Sequence, residues 1–259
     1  MTMPNLTSLR GLLIAQFFGA FNDNAWKLMV ALLAIKQLAS QMGTGPEYES
    51  AAQVQTTITF VVFTLPLMAV SVFAGGFSDR FSKRLVILVT KALEVALMGL
   101  GTIALFLNPE GGLLPLIVLG AMAVQSALFS PAKYGILPEL LSHEQLSAGN
   151  GQLELWTFLA IIGGTVMGGI FLQASGASPW LAGVVLLLFS IVGFVSSLSI
   201  PRVPPARAKG GLRDTLQAAW DAVQSIRVLR LGILGNIAYW TIASLVGQSI
   251  LVYGKAVLQ

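Results

Sequence analysis

Apolar residues in this chain come in long stretches rather than in alternation, and the stretches have the length of membrane helices. A helix needs roughly 20 apolar residues to cross the hydrocarbon of a bilayer. Seven stretches reach that length: Leu12–Leu38, Ala51–Phe77, Leu85–Leu107, Leu113–Leu137, Leu153–Ala174, Leu181–Ile200 and Val228–Val252. Between them stand GTGPE, NPEGG, ASGASPW and PRVPPARAKGG, whose Gly and Pro residues punctuate helices. The pattern predicts an all-α, polytopic membrane helix bundle. One segment has a different rhythm. Leu212, Leu216, Ala219, Trp220, Val223 and Ile226 recur at helical spacing, with Arg213, Asp214, Gln217, Asp221 and Gln224 between them. That is an amphipathic helix for the inner membrane surface, read as a linker between two bundles ahead of a lipid sensor.

Polar groups within the spans are costly and therefore informative. The first span contains FFGAFNDNAWKLMV, Phe17 to Val30. Counting from Leu12 at about 1.5 Å per residue puts Asp23 roughly 16 Å deep, near the midplane. Asp23 and Lys27 are four apart, share a helical face and can pair. Asn22 and Asn24 flank the acid with further donors and acceptors. A charge at that depth costs about 2.5–3.5 kcal/mol on insertion scales, and a local pair recovers only part of it. The helix is expected to be surrounded by protein or to line a wet cavity, and the cluster reads as a functional site ahead of helix–helix glue. The third span repeats the theme with Lys91 and Glu94, three apart on one face. Lys91 is roughly 9–10 Å from the span's cytoplasmic end and can snorkel, whereas Glu94 is too deep. A functional role and a structural pairing both stand there. Gln16, Gln125 and Ser126 add neutral groups to the same cavity, and Asn236, Tyr239, Trp240, Thr241 and Gln248 bring others in the seventh span.

Composition agrees with the pattern. Of 259 residues, 55% are hydrophobic and 10% charged, against about a quarter charged in soluble domains; the mean hydropathy is +0.80. The formal net charge of +4 is a topology signal rather than a nucleic-acid footprint, because the basic residues lie in alternate loops. Arg10 precedes the first span; Arg80, Lys83 and Arg84 follow the second; Arg202, Arg207, Lys209, Arg213 and Arg227 lie between the sixth and seventh, with Arg230 at the start of the seventh. The other loops hold Glu47, Glu49 and Glu110. The positive-inside rule places the N-terminus in the cytoplasm. The first apolar run is too long and too charged for a cleaved signal peptide. Cysteine is absent, which removes disulfides and thiolate metal sites. The single histidine, His143, sits in a loop beside Glu144. Neither a metal set nor a nucleophile–base constellation is expected, so the chain reads as a non-enzyme without cofactors.

The connection after the second span is GGFSDRFSKR, Gly75 to Arg84. Asp79 there can accept from helix N-terminal amides or from Arg80, Lys83 or Arg84, making a charged latch at a cytoplasmic junction. The stretch resembles the signature loop of the major facilitator superfamily. Gly75, Asp79, Arg80, Lys83 and Arg84 match that pattern, and Ser82 replaces its usual glycine. AIIGGTVMGG, Ala160 to Gly169, is similar to the glycine-rich signature of exporters in the superfamily, with Thr165 where proline is usual. Ser130 to Glu154 resembles the loop joining the fourth and fifth spans, whose Glu139 is expected to reach Arg80 across the inner surface.

GAFNDNAWK in the first span, taken with SPAKYGILPEL after the fourth, resembles the bacterial lysophospholipid transporter family. The resemblance runs along essentially the whole chain. It implies a secondary transporter, a flippase that moves lysophospholipid from the outer to the inner leaflet of the cytoplasmic membrane. There an acyltransferase and acyl-carrier-protein synthetase pair reacylates the cargo. Asn22, Asp23, Asn24 and Lys27 would then meet a zwitterionic headgroup, which needs an anion and a cation close together. Lys91, Glu94 and Lys133 would continue the substrate site toward the inner face. The expected organisation is a six-span bundle over 1–200, a basic cytoplasmic linker over 201–227 and the first span of a second bundle over 228–259. A major facilitator has twelve spans in two halves with its site between them, so a shortened chain is expected. Two rivals remain in view: an exporter of small amphiphilic compounds, and a non-transporting membrane scaffold for a lipid-acylating enzyme.

Overall fold

The computed structural model describes residues 6–43, 45–204, 212–239 and 241–242. The helices are α1 (Leu6–Met42), α2 (Pro46–Ser78), α3 (Lys83–Leu107), α4 (Leu113–Gly135), α5 (Leu137–Leu140), α6 (Leu146–Ser175), α7 (Trp180–Ser197) and α8 (Leu212–Ser225). A 3₁₀ turn, His143–Gln145, precedes α6, residues 227–239 are helical, and no strand occurs among the described residues. Five helical stretches are long and apolar enough to cross a membrane: Pro46–Ser78, Lys83–Leu107, Leu113–Leu140, His143–Ser175 and Trp180–Ser197. At 37 residues α1 has the length but lacks the apolarity, because its centre carries the Asn22–Lys27 cluster. The seventh expected span, Val228–Val252, lies partly outside the described residues.

The chain divides into two compact units, Met1–Ala208 and Lys209–Gln259. In the first, α1 is the central post, packed on α6, α7, α2 and α4, while α2 pairs with α4 and α3 with α7 and α4. Two apolar clusters fill this unit. One holds Trp26, Met29, Met98, Leu105, Leu119, Met122 and Leu186. The other holds Leu9, Leu12, Ile87, Ile136, Leu137, Leu153 and Ile200. α1, α3 and α4 contribute to both, and along them the polar residues Gln16, Thr90, Lys91, Glu94 and Gln125 fall between the two sets, with Asn22 one residue beyond Phe21 of the first. These residues form a polar layer across the bundle, while other buried polar groups, Ser78, Lys83, Lys133 and Ser197 among them, lie elsewhere.

Small residues set the closest approach. Ala160, Gly164 and Gly168 recur every fourth residue on α6 and are all buried. A Cβ on Gly164 would fall 2.3 Å from the Phe21 carbonyl oxygen, and one on Gly168 2.7 Å from the Ala25 Cα. The glycine-rich stretch thus brings α6 onto the backbone of α1, the geometry that small-xxx-small spacing permits.

The segment Ser130–Glu154, expected as a loop, is largely helical. α4 runs through Pro131 to Gly135, α5 follows, and α6 begins at Leu146. Proline normally ends or kinks a helix because it lacks an N–H and crowds the preceding turn. Here Phe129, Ala132, Ile136, Leu137 and Leu141 are buried in the second cluster, and that packing outweighs the local signal. In the second unit α8 covers Leu212–Ser225, the amphipathic segment read from the sequence, and Trp220 is exposed on it.

Candidate functional site

The polar centre of α1 splits between two directions. Asp23 and Asn22 are adjacent in sequence and so point about 100° apart around the helix. Asp23 turns toward α4, where its Oδ2 accepts a hydrogen bond of 2.6 Å from the Ser126 hydroxyl. Ser126 also lies 3.3 Å from Gln125 Oε1. Lys27, one turn on, donates to Asn24 Oδ1 at 3.0 Å, and its ammonium stands 5.0 Å from the centroid of the Phe63 ring on α2. Asn24 in turn donates to the Ala20 carbonyl of its own helix at 2.8 Å. All three residues are half-buried. The expected Asp23–Lys27 ion pair is not formed. Asp23 bonds to Ser126 of α4 and Lys27 to Asn24 of its own helix, so the two charges are not in ion-pair contact.

Asn22 is turned instead toward α3 and α7 and is fully buried. Its amide donates to Glu94 Oε1 at 3.3 Å and to the Leu186 carbonyl at 3.1 Å. The other carboxylate oxygen of Glu94 takes the Lys91 ammonium at 2.6 Å. Lys91 also lies 4.8 Å from the Phe129 ring centroid. Lys91 does not snorkel: it is 0% exposed and Glu94 1%. Space for this pair comes from Gly19, where a Cβ would sit 2.3 Å from Lys91 Nζ. Asn22, Lys91 and Glu94 therefore form one buried network joining α1, α3 and α7, in which Asn22 Oδ1 alone has no partner among the described residues. Gln16 ties α1 to α6 by donating to Thr157 Oγ1 at 2.8 Å.

Lys133 is mostly buried, two turns along α4 from Ser126, and its ammonium is 4.8 Å from the Tyr134 ring centroid. The Tyr134 hydroxyl donates to Glu154 on α6. Of the seven substrate residues expected from sequence, Asp23, Asn24 and Lys27 stay half-buried, Asp23 bonded to Ser126 of α4 and Lys27 to Asn24. Asn22, Lys91 and Glu94 are drawn into the buried network, and Lys133 lies further along toward the α4 C-terminus. The residues that sequence reasoning missed are Gly19, Phe63, Phe129 and Thr157. Gly19 is four residues before Asp23, a spacing that marks one face, but nothing local points to the two rings.

At the junction of α2 and α3, Asp79 is the C-cap of α2 and its amide bonds to the Gly75 carbonyl. Gly75 is half-buried, Arg80 is exposed, and the Asp79 carboxylate has no hydrogen bond or ion pair among the described residues. Glu139 pairs with Lys83 rather than with Arg80. Lys83 opens α3 and faces α5, whereas Arg80 lies in the turn before it and points outward. Arg84 donates to the carbonyls of Ile200 at 2.7 Å and Leu198 at 3.2 Å, and Ser82 donates to that of Val203 at 2.8 Å. Three consecutive side chains thus hold the end of α7, the residues after it and α5.

A family model described as transmembrane secretion effector, one of the major facilitator models, matches residues 47–251. Among curated proteins, the chain is 34% identical over 212 residues to one named lysophospholipid transporter LplT from Photorhabdus laumondii, covering 80% of this chain and 47% of that one. Proteins of the same name from Yersinia enterocolitica and Yersinia pestis are 34% and 35% identical, over 78% and 80% of this chain and 44% and 45% of theirs. The chain spans about half the length of the curated relatives it matches.

Proposed function

The chain belongs to the transmembrane secretion effector family of major facilitators, and from that premise we propose that it supplies the N-terminal wall of a lysophospholipid transport path. The observation that carries the reading is the Asp23–Lys27 face of α1. A carboxylate and an ammonium one helical turn apart, Asp23 and Lys27, keep neutral partners and leave their charges to a ligand. A zwitterionic headgroup offers the complement, its ammonium to Asp23 and its phosphate to Lys27, with Asn24 as a hydrogen-bonding neighbour. Lys133 is placed to take the phosphate nearer the inner face. The names of the relatives point to the same cargo.

In this reading the protein sits in the bacterial cytoplasmic membrane with its N-terminus inside. It moves lysophospholipid from the outer to the inner leaflet, where an acyltransferase and acyl-carrier-protein synthetase restore the second chain. Residues 1–200 form the first bundle, 201–227 the cytoplasmic linker and 228–259 the entry to a second bundle. Gly75, Asp79, Arg80, Lys83, Arg84 and Glu139 act as the inner gate, which rocking of the bundles opens and closes.

The test is uptake of labelled lysophosphatidylethanolamine into spheroplasts by this chain joined to the C-terminal half of a full-length relative. Uptake that disappears in Asp23→Asn at unchanged membrane abundance supports the reading; uptake equal in the variant sinks it. The family description, secretion effector, favours a second reading, export of small amphiphilic compounds. Efflux of a cationic dye that lysolipid fails to inhibit would decide for that reading.

A further inference from the structure

On the opposite flank of α1 from Ser126 the bundle leaves an apolar groove that the transport path does not use. α6 and α7 both pack closely on α1 but touch each other little, so a strip of α1 shows between them. The groove is lined by Arg10, Leu13, Ile14, Phe17 and Phe18 of α1 and Trp156 of α6, and holds about 330 Å³, within the range of small-molecule sites. Its walls are braced by rings. Phe17 meets Trp156 edge-on at 5.8 Å and Phe18 edge-on at 5.4 Å, and Phe18 packs on Phe189 of α7 at 5.1 Å. Ile14 and Trp156 are 41% and 40% exposed, so the groove opens sideways, where lipid surrounds a membrane bundle.

At one end stands Arg10, exposed and without a hydrogen bond or ion pair among the described residues. This is the end where Gly11 meets Ser199 and where Arg84 holds the last carbonyls of α7. It is therefore the basic end of the bundle. A bilayer's anionic lipids supply a phosphate at that height and an acyl chain below it. A guanidinium matches a phosphate by a pair of parallel N–H donors, and the aromatic trough matches the chain.

We infer that this groove is a fixed site for one anionic phospholipid of the surrounding leaflet, its phosphate on Arg10 and one acyl chain along Ile14, Phe17, Phe18 and Trp156. This lipid is a resident of the bundle's flank, distinct from the cargo on the Asp23 face. Its headgroup carries net negative charge, because Arg10 has no acid paired with it among the described residues to receive an ammonium. The inference rests on the membrane reading of the bundle and is independent of what the transporter carries.

The experiment is native mass spectrometry of the purified full chain titrated in parallel with phosphatidylglycerol and phosphatidylcholine. The wild type is expected to retain one phosphatidylglycerol in preference to phosphatidylcholine. Arg10→Gln, at an exposed position that the fold does not depend on, should lower that occupancy about fivefold, the worth of one basic residue at an anionic surface. Ile14→Trp fills the trough and should displace the lipid while leaving the charge. Lys36→Gln, an exposed cation at the far end of α1, should leave occupancy unchanged. Equal retention of the two lipids, or retention unaffected by Arg10→Gln, overturns the proposal. So does a dimer mass that Ile14→Trp abolishes, since the groove would then seat a second copy of the chain. Uptake by the Asp23 variants does not enter these readouts, so failure of one reading is visible apart from failure of the other.

Discussion

Two charged sites lie within a turn of each other in this bundle and are built in opposite ways. Lys91 and Glu94 face inward, are sealed from solvent, and have their charges matched to each other, with Asn22 on the second carboxylate oxygen. Asp23 and Lys27 share a similar sequence spacing, yet each leans on a neutral partner, Ser126 or Asn24. The difference teaches that spacing along a helix does not decide whether opposite charges meet. The neighbours do: Gly19 clears a space in which Lys91 must turn to Glu94, while Ser126 and Phe63 draw Asp23 and Lys27 apart. One pair is matched within the fold, and the other keeps neutral partners.

The contrast can be broken most sharply at Glu94. Glu94→Gln strands the Lys91 ammonium without a counter-charge in a site with no water access, and removing one partner of a buried pair costs about 3–5 kcal/mol. Thermal unfolding in detergent should show the largest drop of any single change in the polar layer. Gly19→Ala attacks the same pair from above, pushing a methyl group against Lys91, and should cost about 1–3 kcal/mol as overpacking in the same assay. Asp23→Asn is the counterpart in the other pair. It keeps a hydrogen-bond acceptor for Ser126, so stability should change by no more than about 1 kcal/mol, whereas lysolipid uptake by the full-length fusion should fall to background. A large stability loss from Asp23→Asn would erase the distinction between the sites. Smallest of all is the Lys83–Glu139 pair at the bundle's end, whose carboxylate side chain is 25% exposed. A double-mutant cycle between Lys83→Ala and Glu139→Ala should give a coupling below about 1 kcal/mol, shrinking further at high salt.

Much of the fold was legible because membrane helices announce themselves by length. The six apolar stretches from Leu12 to Ile200 all fall on long helices of the first unit, with ends that move by several residues. The loop expected after Ser130 is helical instead, because Phe129, Ile136 and Leu137 are held by packing from α1 and α3. The site was legible as a layer but not as a wiring diagram. Asn22, Asp23, Asn24 and Lys27 stood out as polar residues in an apolar run, yet which faced which neighbour depends on rotation about α1. That rotation is fixed by α6, through Gly164 and Gly168, some 140 residues away in the chain. Likewise Glu139 was expected to reach Arg80, and only the start of α3 selects Lys83.

The glycine contact between α1 and α6 has a mechanical meaning. Gly164 and Gly168 press on Phe21 and Ala25, the two residues that straddle Asp23. With backbone set on backbone and no side chain between to act as a cushion, the pair of helices has no slack at that height. Any tilt of α6 is transmitted to Asp23 as to a pin in a lever, so the carboxylate keeps step with a helix to which it makes no bond of its own.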